Sequence, residues 1–309
     1  DASTVRKVAA NGIISTYAGM TDQFGFSGDG GAATSAKLNG AYGICMDAVS
    51  NLYIADYMNL RVRKVAPNGI ITTVAGSGAT NYNGEGVLAT SANIKPVDVA
   101  FNRSGELLIF ENYPNYRVRR LASNGRIYTV AGNGTAGCSG DGGPATSASI
   151  VGWHLAVGAD DSIYLSDDSN RRVRCISTNG IITTVVGTGS MGYNGDGIPA
   201  TNASIWNPRG IAAVADGSLF ICDSGNARIR RTTPTALTWT LRGTPGPEHV
   251  GQTNITLYAD NGSLRAALTF TLTIAGTARM RVNNGAGAAV SNNAVASPTL
   301  GTDFGLTGT

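Results

Sequence analysis

The sequence predicts an all-β chain, a propeller assembled from short antiparallel meanders. Three observations carry this. One segment returns in tandem, as Phe26–Ala36 (FSGDGGAATSA), Tyr82–Ala92 (YNGEGVLATSA), Cys138–Ala148 (CSGDGGPATSA) and Tyr193–Ala203 (YNGDGIPATNA). Its acidic residue steps through Asp29, Glu85, Asp141 and Asp196, a spacing of 56, 56 and 55 residues, as expected of one supersecondary unit copied in series. Between these segments, short apolar runs alternate with Asn-Gly and Asp-Gly turns. Finally, 42 glycines and only 14% charged residues suit strands joined by tight turns.

The elements follow in order. Thr4–Val8 and Ile13–Tyr17 match the third and fourth strands of later copies, so the chain opens with half a unit. In the fourth copy, Ile211–Ala215 reads as a first strand, Asp216-Gly217 as a turn, Leu219–Cys222 as a second strand and Arg228–Arg230 as a third. Fourth strands follow an Asn-Gly pair, as in Ile70–Ala75 and Ile181–Val186; Leu237–Leu241 is the corresponding candidate in the last copy. A meander of four short strands cannot bury both faces alone. Stacking copies around an axis does so, and that is a propeller blade.

The pattern Leu52–Asp56, then Asn59-x-Arg61-Val-Arg63-Lys-Val65, then Ile70–Gly76 resembles NHL repeats. It is similar in particular to bacterial extracellular NHL proteins with a Gly-Asp-Gly-Gly-Pro-Ala-Thr insertion between blades, over roughly residues 3–243. The resemblance implies a propeller and leaves the activity open, because this fold serves lyases, hydrolases and pure binding proteins.

An acid ends the second strand of each copy, at Asp56, Glu111, Asp167 and Asp223, and an Arg follows the turn, at Arg61, Arg117, Arg172 and Arg228. The expected reading is a repeated turn lock of carboxylate and guanidinium; the alternative is a ring of metal or substrate ligands. Asp29, Asp141 and Asp196 are expected to accept amides of their own loops rather than to hold calcium, which wants several converging carboxylates. Thr34, Thr90, Thr146 and Thr201 are expected in short helical turns, with their hydroxyls as caps.

Function is sought where the copies differ. Tyr42, Trp153 and Trp206 precede first strands, and Tyr113 interrupts the turn of copy two. They form a candidate aromatic rim that stacks on sugars or holds a partner's side chains; ordinary packing between blades is the alternative. Catalysis is not expected. The chain has two histidines, His154 and His249, and neither an HExxH helix nor a GxSxG elbow. The lyase branch of the resemblance implies a histidine-bound metal, for which His154 alone is insufficient. No cofactor and no metal are expected. Cys45, Cys138, Cys175 and Cys222 show no metal-ligand spacing and read as free or buried thiols. A net charge of +3 gives no case for nucleic acid, and no apolar run has the length of a membrane span.

The first residue is Asp1, with neither Met nor a signal peptide, as in a processed chain or a fragment. Sequons begin at Asn102, Asn133, Asn202, Asn254 and Asn261 and matter only in a glycosylating source. After the propeller (1–243), residues 244–275 resemble the second half of a bacterial Ig-like domain, on the Gly243-Thr-Pro start, Val250-Gly251 and the strand Phe270–Ile274. Residues 276–309 read as an extended Gly, Ala, Asn and Thr-rich tail. Three readings stay open: a subunit that assembles by exchanging strands, a five-bladed ring closed by residues 254–274, or a piece cut from a longer chain. The expected function is that of a secreted or surface protein acting by self-assembly into filaments, or else by binding glycans or cell-surface proteins.

Overall fold

The computed structural model describes residues 3–233, together with the backbone of three strands at 251–260, 265–275 and 279–284. The chain divides into two compact units, Asp1–Thr233 and Pro234–Thr309.

The first unit opens with a two-stranded hairpin, β1 (Thr4–Val8) and β2 (Ile14–Gly19). Four blades follow, each an antiparallel meander. Blade one is β3 (Ala41–Met46), β4 (Leu52–Asp56), β5 (Arg61–Val65) and β6 (Ile71–Ala75). Blade two is β8 (Pro96–Phe101), β9 (Leu107–Glu111), β10 (Arg117–Leu121) and β11 (Arg126–Ala131), extended at its outer edge by the short β7 (Val87–Leu88). Blade three is β12 (Leu155–Val157), β13 (Ile163–Asp167), β14 (Arg172–Ile176) and β15 (Ile182–Val186). Blade four shows β16 (Pro208–Ala213), β17 (Leu219–Asp223) and β18 (Arg228–Arg231). The candidate fourth strand at 237–241 lies outside the described residues. The first strand of this blade starts at Pro208, earlier than the apolar run, because Pro208 pairs with Asp223 across a bulge that reaches to Ile211. It ends at Ala213, where the Val214 and Gly217 amides close the turn.

Asn-Gly turns join third strands to fourth. The Asn side chain accepts the amide two residues on, as at Asn68 to Ile70, Asn124 to Arg126 and Asn179 to Ile181. The first strands lie innermost, with β8 beside both β3 and β12, and β12 beside β16. The core sits between blades. Val62 and Ala75 of blade one pack on Leu107, Ile109 and Ile127 of blade two, with Ala89, Ala92 and Ile94 of the intervening insertion wedged among them. Val173 and Val186 pack in the same way on Leu219 and Ile221. Each such buried Val, Leu or Ile side chain contributes about 1.5–3 kcal/mol.

Three side chains depart from this pattern. Ile229 is 68% exposed, while Val62, Val118 and Val173 at the same point of the repeat are at 0%. On the hairpin, Val8 and Ile14 are exposed, whereas the matching Val65 and Ile71 are buried.

In the second unit β19 (Gly251–Asp260), β20 (Arg265–Ala275) and β21 (Arg279–Asn284) form an antiparallel sheet in that order. Residues 254–274 therefore pair within this sheet and with a strand from the expected tail, while β1 and β2 remain a sheet of two. The Gly243-Thr-Pro start and the rest of the tail lie outside the described residues.

Candidate functional site

The expected turn lock has a different arginine. Asp56 faces Arg61 across β4 and β5, yet its ion pair is with Arg63, at 3.4 Å. Glu111 pairs with Arg119 at 3.6 Å, Asp167 with Arg174 at 3.9 Å and Asp223 with Arg230 at 3.4 Å. Arg61, Arg117, Arg172 and Arg228 instead turn back onto backbone carbonyls, of Asn59, Asn115, Asn170 and Asn226. An aromatic residue opens three of the four insertions. Phe26 lies under both Arg61 (3.8 Å) and Arg63 (4.8 Å), Tyr82 under Arg117 and Arg119, and Tyr193 under Arg228 and Arg230. The outer guanidinium covers the ring, and the inner one stands between two carboxylates, as Arg63 does between Asp29 and Asp56. In blade three Cys138 takes the place of the ring, and its sulfur contacts Arg172.

The insertion acids are also partnered differently from expectation. Asp29 binds Arg63 at 2.8 Å and Thr73 Oγ1 at 2.7 Å, not the amides of its own loop. Asp141 does the same with Arg174 and Thr184. Glu85 accepts the amide and hydroxyl of Thr129, and Asp196 takes Tyr193 and Arg230. The strands available to each loop supply charged and hydroxyl donors, which outcompete local amides. The Ala-Thr-Ser stretches do form single 3-10 turns (Ala33–Ser35, Ala89–Ser91, Ala145–Ser147 and, with Asn in place of Ser, Ala200–Asn202), but no side chain caps them. Thr34, Thr90, Thr146 and Thr201 are exposed.

The strand-two acids hold the approach to each first strand. Asp56 accepts the Asn39 amide, Glu111 that of Lys95 and Asp223 that of Trp206. Burial pushes the Glu111 carboxyl up to about 7 against the pull of Arg119. Burial likewise raises Asp167 to about 7 against its bonds from Asn170 and the charge of Arg174.

On this framework the structure gathers an aromatic cluster from three blades. Tyr42 stacks on Tyr57, with ring centroids 4.8 Å apart, and meets Trp153 edge-on at 6.0 Å; Tyr57 lies 6.2 Å from Trp153. The Lys95 ammonium stands 4.8 Å from the Tyr57 ring and 5.9 Å from that of Tyr113. Tyr57 and Trp153 back onto the core of blades two and three, while Tyr42 (47%) and Tyr113 (66%) face solvent. Of the residues expected in one rim, Tyr42 and Trp153 meet directly, and Tyr113 approaches them only through Lys95. Trp206 stands apart. Its ring lies against Gly225, where a Cβ would come within 2.4 Å of it, and it makes no ring contact with the others among the described residues.

Lys95 and Asp98 were not singled out from sequence. One repeat position on the innermost strands reads Gly43, Asp98, His154 and Gly210, so the substitution of Gly by Asp in β8 was the available signal. Asp98 accepts the amides of Val99 and Leu155, and His154 Nδ1 lies 3.4 Å from its Oδ2. A Cβ at Gly43 would fall 1.9 Å from Asp98 Oδ1, so the glycine of blade one admits the aspartate of blade two. Beside them, burial with Asp98 and Asp47 pushes the Cys45 thiol up to about 12, which keeps it protonated. The four cysteines are free and half-buried.

Residues 22–102 match the Teneurin NHL domain, and residues 206–231, spanning β16 to β18, match the NHL repeat. This is an NHL-type β-propeller. Teneurin-4 of Mus musculus is 30% identical over 231 residues and Teneurin-1 of Homo sapiens 29% identical over 231 residues. Each covers 66% of this chain, which spans 8% of either relative's length. Among solved structures, the NHL-type propeller resembles a structural genomics protein of unknown function from Bacteroides thetaiotaomicron, with TM-score 0.54 and 16% identity over 75% of this chain and 54% of that one. It also resembles an auxiliary nutrient binding protein from the same organism, with TM-score 0.51 and 18% identity over 71% of this chain and 50% of that one. At these identities the likeness is one of fold. The Teneurin NHL match contains Tyr42, Tyr57, Lys95 and Asp98; Tyr113, Trp153 and His154 come from later in the propeller. No helix among the described residues is long and apolar enough to cross a membrane.

Proposed function

We propose that this chain is an extracellular, non-catalytic binding propeller that holds a glycan on the aromatic face of blades one to three. The observation that carries this reading is the stack of Tyr42 on Tyr57 beside Trp153, with one side anchored in the core and Tyr42 open to solvent. Anchored rings present a flat apolar surface at little entropic cost, which suits the C–H face of a pyranose. The protonated Cys45 thiol, and a His154 whose carboxylate neighbour already holds two amides, support a site that binds without reacting. The likeness of the insertion to extracellular NHL proteins supports a place outside the cell. Titration calorimetry against a panel of oligosaccharides tests the reading. Binding should disappear in Tyr42→Ala and persist in Trp206→Ala. Equal loss in both, or none in either, would count against the face.

A second reading, ordered self-association, is favoured by the exposed apolar side chains of Val8 and Ile14 on the hairpin and Ile229 on blade four. Their counterparts in the repeat bury one another between blades. Two copies meeting hairpin to blade four would repeat that packing head to tail. Sedimentation velocity on the full chain and on Val8→Ser/Ile14→Ser decides it: concentration-dependent growth lost in the variant supports assembly, and a monodisperse monomer throughout removes it.

A further inference from the structure

The aromatic face carries a lysine that makes no ion pair among the described residues, and this bears on which glycan it takes. Lys95 precedes β8, half-buried between the rings of Tyr57 and Tyr113, and makes no ion pair among the described residues. Arg209 occupies, on β16, the repeat position that holds Tyr42 and Trp153 in blades one and three. It is exposed and likewise without an ion pair or hydrogen bond among the described residues. β16 neighbours β12, so Arg209 stands one strand further round from Trp153. The buried arginines behave otherwise: Arg63, Arg119 and Arg174 each lie between two carboxylates. The acid at this level of the inner strands, Asp98, is occupied by two backbone amides and by His154.

We infer that the ligand of this face is a carboxylated sugar, its ring stacked on Tyr42 and Trp153 and its carboxylate drawn to Lys95, with Arg209 as a second anion contact. The inference rests on the carbohydrate reading of the face. A Lys ammonium seated on two tyrosine rings has its stem ordered in advance and still has N–H donors to offer. A carboxylate gives it a charge-assisted bond, whereas a neutral hydroxyl leaves its charge uncompensated. The acceptors of this chemistry are uronic acids and sialic acids. An acidic peptide supplies the charge without the ring and is the competing class.

The test measures binding of the full chain to oligogalacturonate, sialyllactose, lactose and oligoglutamate, by calorimetry at low and at raised salt. One or both acidic sugars should bind, on the order of tenfold or more above lactose, and the margin should shrink with salt. The two acidic arms separate uronate from sialate. Lys95→Met keeps the stem on the rings and should erase the margin, while Lys95→Arg should restore most of it; equal melting temperatures exclude a folding defect. Lactose binding as tight as the acidic sugars overturns this inference and leaves the carbohydrate reading standing. Oligoglutamate binding as tight as the acidic sugars overturns it too. If no sugar binds, the carbohydrate reading itself fails.

Discussion

Arg63 reaches Asp29 at 2.8 Å, although 34 residues separate them and Asp29 belongs to the insertion that precedes the blade. The guanidinium is fully buried, Asp56 on its far side is equally buried, and Asp29 is 38% exposed. One side chain thus ties strand β4, strand β5 and the insertion together. The arrangement recurs around Arg119, Arg174 and Arg230. The insertion is therefore part of the blade, and its 3-10 turn carries Ala33 and Ala36 into the core.

Removing Arg63 strands a buried carboxylate. Arg63→Met should cost about 3–5 kcal/mol in denaturant unfolding, because Asp56 loses its counter-charge away from water. Asp29→Asn keeps an acceptor at the exposed end and should cost only about 0.5–1.5 kcal/mol. Equal losses in the two variants would mean that the insertion contact, not the buried pair, dominates.

Arg61 offers a contrast within the same strand. Arg61→Ala removes its bonds to the Asn59 and Ser77 carbonyls and its cover of the Phe26 ring, at a cost of about 1–2 kcal/mol. The order Arg63 above Arg61 should repeat as Arg174 above Arg172. A reversed order in melting temperatures would restore the pairing first expected from sequence.

The raised carboxyl of Glu111 has a definite pH signature. With a folded value of about 7 against an ordinary 4.5, the native state holds a proton that the unfolded chain has released. Its contribution to stability is complete below pH 4.5 and declines as pH rises to about 7. Over that window the loss should amount to about 1–3 kcal/mol. Asp167 adds a loss of the same sign. The difference in unfolding free energy between the wild type and Glu111→Gln, followed by urea titration at stepped pH, should therefore shrink or reverse toward pH 7. A difference that grows with pH would show an ionised native Glu111.

Gly132 sits at φ +91°, and a Cβ there would fall 2.3 Å from the Tyr116 carbonyl. Gly132→Ala should destabilise by more than about 1 kcal/mol from the backbone alone, with the clash in addition. Gly105→Ala, at φ +78° but with nothing within 4 Å, gives the backbone cost by itself. If the two variants melt alike, the close approach at Gly132 relaxes freely.

Val173 and Ile229 hold the same place in the repeat with opposite exposure. Val173→Ala should cost about 1–2 kcal/mol, whereas Ile229→Ala should fall within about 0.5 kcal/mol in dilute solution. A large loss for Ile229→Ala that appears only at high protein concentration would mark a contact between copies.

The sequence by itself determined the repeat, the number of blades and most strand limits. Those features are local: Asn68-Gly69 closes its turn with its own side chain, and runs such as Leu52–Asp56 are β-formers wherever they pack. The aromatic residues that differ between copies, Tyr42, Tyr113, Trp153 and Trp206, were legible for the same reason: they break a local pattern, although that pattern did not separate Trp206, which lies against Gly225, from the others.

Only the tertiary structure decided which arginine meets which acid, and which cation joins the rings. Asp56 stands opposite Arg61 in the strand register, so spacing favours that pair; yet Arg61 turns onto the Asn59 carbonyl and the Phe26 ring, and Arg63 takes the place between Asp56 and Asp29. Asp29 finds Thr73, and Lys95 finds Tyr57, across separations that no local periodicity encodes. Spacing along a strand dictates which residues share a face. Competition among donors brought together by the packing of blades dictates which of them bond.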